Sequence, residues 1–302
     1  MSQKLLIDGS RDSQTQVALL SENGLEDFEF ESSSRKNLKG NIYLGKVSRI
    51  EASLQAAFID IGSEKNGFLA FGEIHPNYFQ IPVADREALI EAEANIEEEH
   101  NTQDDIEENE EAKESEDEEG ITATETDKDE SSTDNEKVLK NRKHKSSSNL
   151  KRKLYRSYKI QEVIKTGQLI LVQVVKEERG NKGAALTSYI SLAGKYTVLM
   201  PNSTKTKGIS RKISTSDDRN KLKQIIDELN VPLEMGLIIR TAGLNKTKNE
   251  IKKDYSTLNK LWVEIVTDTK KAIAPALIHE EGNLLRRVLR DVYTKDMKDI
   301  LV

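Results

Sequence analysis

Asn41-Ile-Tyr-Leu-Gly-Lys-Val-Ser-Arg-Ile-Glu-Ala-Ser-Leu-Gln-Ala-Ala-Phe-Ile-Asp-Ile-Gly62 holds two β-prone runs, Asn41–Ile50 and Ala56–Ile61, divided by a short polar turn. Runs this short and this close read as neighbouring strands, and Gly67–Ala70, past the Gly62–Gly67 turn, adds a third. Further along, Gln168–Val175 is apolar at nearly every position, which predicts a central strand. It leads into Lys176-Glu-Glu-Arg-Gly-Asn-Lys-Gly-Ala-Ala-Leu-Thr-Ser-Tyr-Ile-Ser-Leu-Ala-Gly194, a basic, glycine-broken loop followed by alternation over Ala185–Leu192. Five short strands with a long insertion in one connection predict an OB-type β-barrel.

Working outward, Lys4–Asp8, Gln16–Ser21 and Phe28–Glu31 are short apolar-rich runs separated by the turn signals Asp8-Gly9 and Asn23-Gly24, and read as one meander. Beyond Gly194 the period lengthens. Leu222, Ile225, Ile226 and Leu229 predict a helix over about 216–229, stopped at Asn230 with Pro232 beyond. Leu237–Thr241 reads as a strand. Thr247 and Glu250 have the spacing of a capping box above the stripe Ile251, Tyr255, Leu258, Trp262, Ile265 and Val266, so a long helix should run to about Lys271. A last helix is expected over about Asn283–Ile300, carried by Leu285, Val288, Leu289 and Val292. The fold class is therefore α+β, an OB-type barrel set among α/β regions.

The net charge of -6 over 302 residues conceals segregation. Residues 91–136 hold 22 Asp and Glu against 2 Lys and Arg; residues 137–158 hold 9 Lys and Arg and no acid; the remaining chain is net +5. Between Ile90 and Lys153 apolar residues nearly vanish, and such a segment cannot bury enough surface to offset the entropy of ordering it. Roughly 92–152 reads as a disordered acidic insertion, and the mildly basic remainder suits a polyanionic partner. The sequence contains no cysteine, which excludes disulfides and thiolate zinc sites, and His75, His100, His144 and His279 are not spaced as a metal cluster. No run approaches the ~20 apolar residues of a membrane span, and Met1-Ser-Gln-Lys-Leu-Leu-Ile-Asp lacks a secretory apolar stretch, so the expected location is cytoplasmic.

Binding single-stranded nucleic acid without strict sequence readout needs aromatic faces for bases and cations for phosphates on one barrel surface. Phe58 and Phe68 flank the Gly62–Gly67 turn and can meet on adjacent strands, while Lys182 lies among glycines that let backbone N–H groups approach an anion. By spacing alone either Phe reads first as a core residue, and Tyr43 and Tyr189 are assigned to packing. Arg240-Thr241, at the end of the predicted strand, pairs a guanidinium with a hydroxyl, a combination suited to a terminal phosphate. A two-carboxylate site built from Asp60, Asp85 or Asp254 has no spacing to recommend it.

From about Lys4 to Val302 these segments, together with Met200-Pro-Asn and Gly208-Ile-Ser-Arg-Lys-Ile213, resemble the amino-terminal part of the ribonuclease E/G endoribonucleases. The resemblance implies an RNase H-like subdomain in two segments, 1–37 and 286–302, an OB-type RNA-binding domain over 38–192, and a 5′-sensor subdomain over 193–285. It implies that Phe58, Phe68 and Lys182 contact single-stranded RNA. A pocket of Gly194, Val198, Arg240 and Thr241, assisted by Arg211, is implied to take the RNA's 5′ monophosphate. The family's Mg²⁺-binding aspartates and its Cys-Pro-x-Cys zinc link are absent from this chain, so Mg²⁺, Zn²⁺ and homo-oligomerisation are expected only of the complete enzyme and no cofactor is expected here. The expected role is RNA binding and 5′-end sensing for an endoribonuclease of RNA processing and decay. The alternative is a stand-alone, non-catalytic RNA-binding or regulatory protein.

Overall fold

The computed structural model describes residues 3–11, 13–32, 37–91, 158–177, 183–203, 207–293, 297 and 299–302. The body of the acidic insertion and Lys182 lie outside the described residues. The predicted meander is present as β1 (Lys4–Arg11), β2 (Gln14–Ser21) and β3 (Gly24–Ser32), all antiparallel. Each strand exceeds its apolar run, because ladder pairing continues through polar positions such as Gln16 opposite Phe30.

Five strands then close on themselves: β4 (Ile42–Glu51), β5 (Ala56–Asp60), β6 (Gly67–Ala70), β7 (Leu169–Lys176) and β8 (Ala185–Thr187). Their order is β4-β5-β6-β8-β7, with β7 returning to pair with β4. Every pairing is antiparallel except β6 with β8, which is parallel. This is a closed mixed barrel of OB type, and closure leaves no open edge on these strands. Val47, Ala57, Ile59, Leu69, Val172, Val174 and Leu186 fill the inside. The helix α1 (residues 83–91) and the single turn α2 (Ile160–Val163) add Leu89, Ile160 and Val163 to the same core. Each such aliphatic side chain contributes about 1.5–3 kcal/mol by leaving water.

The strand predicted over Ala185–Leu192 ends at Thr187 instead. Ser188 N–H donates to Glu73 O at 2.9 Å, and side-chain oxygens, not a neighbouring strand, take the next three backbone donors. Tyr189 N–H donates to Thr187 Oγ1 at 3.2 Å, Ile190 N–H to Asn202 Oδ1 at 2.9 Å, and Ser191 N–H to Gln173 Oε1 at 2.8 Å. These bonds turn the chain out of the barrel, and β9 (Leu192–Ala193) joins a second sheet with β10 (Thr197–Met200), β11 (Lys207–Ile209) and β12 (Gly236–Ile239), in the order β11-β12-β10-β9. Against it pack α3 (Ser216–Glu228) and α4 (Lys248–Lys271). The predicted capping box is formed: Thr247 Oγ1 accepts from Glu250 N–H, and Glu250 Oε2 accepts from Thr247 N–H at 3.0 Å. Leu199, Leu237, Leu258 and Ile265 share one core with Ile42 and Leu171 of the barrel, so barrel and second sheet are packed together.

The carboxyl-terminal stretch departs from expectation. A strand, β13 (Ala276–His279), pairs antiparallel with β4. The helix expected to run to about Ile300 stops early as α5 (Leu284–Asp291), and Asp299–Leu301 is a strand, β14, parallel to β1 with Leu5 opposite Ile300. The reason is competition. A helix cannot satisfy the open ladder of β1, whereas the apolar run Ile300-Leu301 can, while α5 buries Leu284 and Val288 against Leu5 and Val17. Among the described residues no helix is long and apolar enough to cross a membrane.

Candidate nucleic-acid interface

On the outer face of the barrel one register row carries three of the side chains relevant to a polyanion. Arg49 of β4 stands opposite Phe58 of β5, and Phe58 opposite Phe68 of β6. The two rings meet edge to face, with centroids 5.9 Å apart and planes at 76°, and both are half-buried rather than part of the core. Arg49 Cζ lies 4.2 Å from the Phe58 centroid, a cation–π stack. The predicted proximity of the two phenylalanines is therefore present. Arg49 was not singled out in the sequence because strict alternation does not place it outside; a register shift between Val47 and Arg49 turns both Ser48 and Arg49 outward.

Lys182 itself lies outside the described residues, but the neighbouring Gly183 is packed against the turn before Phe68. A Cβ there would stand 2.0 Å from the Asn66 carbonyl oxygen, so only glycine lets the loop approach this closely. Ala184 O then accepts from Phe68 N–H at 2.8 Å. The start of β8 is thus tied to the strand that bears Phe68.

The second constellation forms where β9, β10 and β12 meet α4 and α5. Asp254 of α4 gathers the 194–197 turn: it accepts from the N–H groups of Lys195 (3.2 Å), Tyr196 (2.9 Å) and Thr197 (2.9 Å), and from Thr197 Oγ1 (2.8 Å). Gly194 is glycine for the same reason, since a Cβ would meet Asp254 Oδ2 at 2.5 Å. Arg240 follows β12, with its backbone N–H donating to Tyr196 O at 2.8 Å and its Nη1 to Gly194 O at 2.6 Å. Thr241 begins a short 3₁₀ turn and is exposed, while Val198 lies mid-strand opposite Ile238. Gly194, Arg240 and Thr241 are therefore drawn onto one turn-lined corner, beside the strand that carries Val198.

Charges not read from the sequence complete this corner. Arg240 Nη1 also donates to Asp291 Oδ1 at 2.5 Å, from the last residue of α5. Arg290 donates to both Asp291 oxygens, to Glu281 Oε1 and to Ala193 O. Burial pushes the Asp291 carboxyl up, yet hydrogen bonds and charge from Arg290 and Arg240 outweigh it and hold the group below its ordinary range. The surplus of basic residues at Arg286-Arg287 and Arg290 on the helix predicted over about Asn283–Ile300 was the available signal. Among the described residues no three His, Asp or Glu side chains gather as a metal site.

Known proteins agree with these segments end to end. Residues 191–302 match the model of the Ribonuclease E/G family. Over 299 residues, 99% of this chain, the sequence is 36% identical to Ribonuclease E of Buchnera aphidicola subsp. Acyrthosiphon pisum, covering 25% of that protein. It is 34% identical over 299 residues to Ribonuclease E of Escherichia coli K12, covering 22% of it, and 28% identical over 302 residues to that strain's Ribonuclease G, covering 48%. The chain thus spans about a quarter of the length of these two ribonuclease E relatives. The chain is thus similar along its whole length to ribonucleases E and G, and its last third matches the model of the Ribonuclease E/G family.

Proposed function

We propose that this chain is the part of a ribonuclease E/G-type endoribonuclease that binds single-stranded RNA and senses a 5′ monophosphate, acting in the cytoplasm in RNA processing and decay. The observation that carries this reading is the outer row of the barrel, where a guanidinium and two aromatic rings lie side by side on three adjacent strands. Bases can stack on Phe58 and Phe68 while Arg49 and Lys182 face phosphates, which is the sequence-tolerant mode of single-strand binding. The corner of Gly194, Val198, Arg240 and Thr241 takes the terminal phosphate: Arg240 supplies a planar guanidinium already oriented by Gly194 O, and Thr241 an exposed hydroxyl. In this reading residues 38–192 bind RNA, residues 193–285 sense its end, and residues 1–37 with 286–302 form the RNase H-like frame. The Mg²⁺ and Zn²⁺ of the complete family enzyme have no candidate ligand set among the described residues, and neither proposed role passes through a metal.

Stacking contributes about 1–3 kcal/mol per base, so Phe68→Ala should weaken binding of an unstructured oligoribonucleotide about tenfold or more, read by fluorescence anisotropy. A Phe58→Ala/Phe68→Ala double variant with a native circular-dichroism spectrum and undiminished affinity would show that the RNA lies elsewhere.

A further inference from the structure

Arg240 does not offer its whole guanidinium to the proposed pocket. Its Nη1 is shared between Gly194 O and the Asp291 carboxylate, so a carboxylate already holds one edge of the group that an incoming anion would use. Asp291 does not depend on Arg240 for its place. It sits at the end of α5, and Arg290 grips both its oxygens while being held in turn by Glu281 and by Ala193 O. Nor does Arg240 depend on Asp291 alone, because Gly194 O orients the same nitrogen at 2.6 Å. Each partner thus keeps another anchor when their mutual bond breaks.

We infer that Asp291 is a specificity-determining competitor of the 5′ phosphate, an internal anion that Arg240 exchanges for the end of the RNA. This rests on the 5′-sensing reading above. Exchange removes one carboxylate–guanidinium bond of an exposed pair and makes a phosphate–guanidinium bond with greater charge, while Arg290 continues to neutralise Asp291. An end without negative charge, such as a 5′ hydroxyl, offers Arg240 nothing better than the carboxylate it has. The threshold an RNA end must pass is therefore set by Asp291, not by Arg240 alone.

The test measures binding of 5′-monophosphorylated and 5′-hydroxyl forms of one unstructured oligoribonucleotide by the full 302-residue chain. Asp291→Asn, an isosteric neutral variant, should bind the phosphorylated form about tenfold more tightly than wild type while leaving the hydroxyl form unchanged. Adding Arg240→Gln should abolish that gain. Asp291→Ser provides a second neutral variant, and unchanged binding of the hydroxyl RNA reports that each variant is folded. If Arg240→Gln alone removes the phosphate preference but Asp291→Asn leaves it equal or weaker, Asp291 merely positions Arg240 and the inference is overturned while the sensor reading stands. If no variant, wild type included, distinguishes the two ends, the sensor reading fails and the inference with it.

Discussion

At the scale of single residues, the corner around Arg240 depends on carboxylates whose chemistry is set by what donates to them. Asp254 satisfies three successive backbone N–H groups and a hydroxyl. Removing it leaves those donors without a partner in a half-buried turn, and each unsatisfied group costs about 1–3 kcal/mol. Asp254→Ala should therefore lower stability by about 2–4 kcal/mol and erase the preference for a phosphorylated 5′ end, because Gly194 O would no longer be fixed. Chemical denaturation and the two-ended RNA comparison measure both. For Asp291 the folded carboxyl titrates below its unfolded value, so its ionisation stabilises the fold at all pH above the unfolded value, and that contribution disappears as pH falls through the folded one. Asp291→Asn abolishes this titration. Its melting temperature should consequently fall less than wild type's between about pH 5 and pH 3, as followed by circular dichroism. Neither carboxylate's role was readable in the sequence, since the 195–197 turn is distant from Asp254, and Arg240 from Asp291, along the chain.

At the scale of elements, legibility followed length and periodicity. The helix Lys248–Lys271 and the helix Ser216–Glu228 bury stripes at helical spacing, and both were readable. The barrel strands were readable too, because turn signals isolate short β-prone runs. What escaped were strands of two to four residues, Leu192–Ala193, Thr197–Met200, Lys207–Ile209 and Ala276–His279. So few residues carry no period, and their partners, not their own propensities, decide their conformation. The apparent helix beyond Asp291 failed for the same reason, since β1 offers Ile300 and Leu301 a ladder that helical spacing cannot reveal. The capping box of the longest helix gives the element-scale prediction. Thr247→Ala removes an acceptor for Glu250 N–H and should cost about 0.5–2 kcal/mol, whereas Thr247→Ser should be nearly neutral. Equal losses for the two variants in urea unfolding would show that methyl packing, not the cap, matters at this position.

At the scale of the whole molecule, the connection between β6 and β7 is where charge and fold part company. The ends of the described chain on either side of it converge on the barrel: Leu89 of α1 and Ile160 of α2 are both in its core, and the Tyr158 hydroxyl donates to the Asp85 carboxylate of α1. Asp85 and Glu91 lie six residues apart on one helix, about 9 Å along its axis, so a linker of a few residues can rejoin Glu91 to the strand of chain entering α2. Residues 92–152 bring almost no apolar side chains, and the described residues of the barrel already form a buried core. Deleting them should leave the thermal midpoint within a few degrees of wild type, and a large loss of cooperativity would show that the segment belongs to the core. The same deletion removes a large excess of negative charge from a molecule whose remaining body is mildly basic. Under the proposed RNA-binding role, a polyanion in the same chain repels RNA at low ionic strength and competes with it for cations, so the deleted protein should bind single-stranded RNA more tightly than wild type. Screening shortens these interactions to about 8 Å at physiological salt, and the difference should shrink as salt rises. A gain in affinity that persisted undiminished at high salt would instead mean that the segment blocks the RNA surface sterically, and no gain at any salt would mean that it stays clear of that surface altogether.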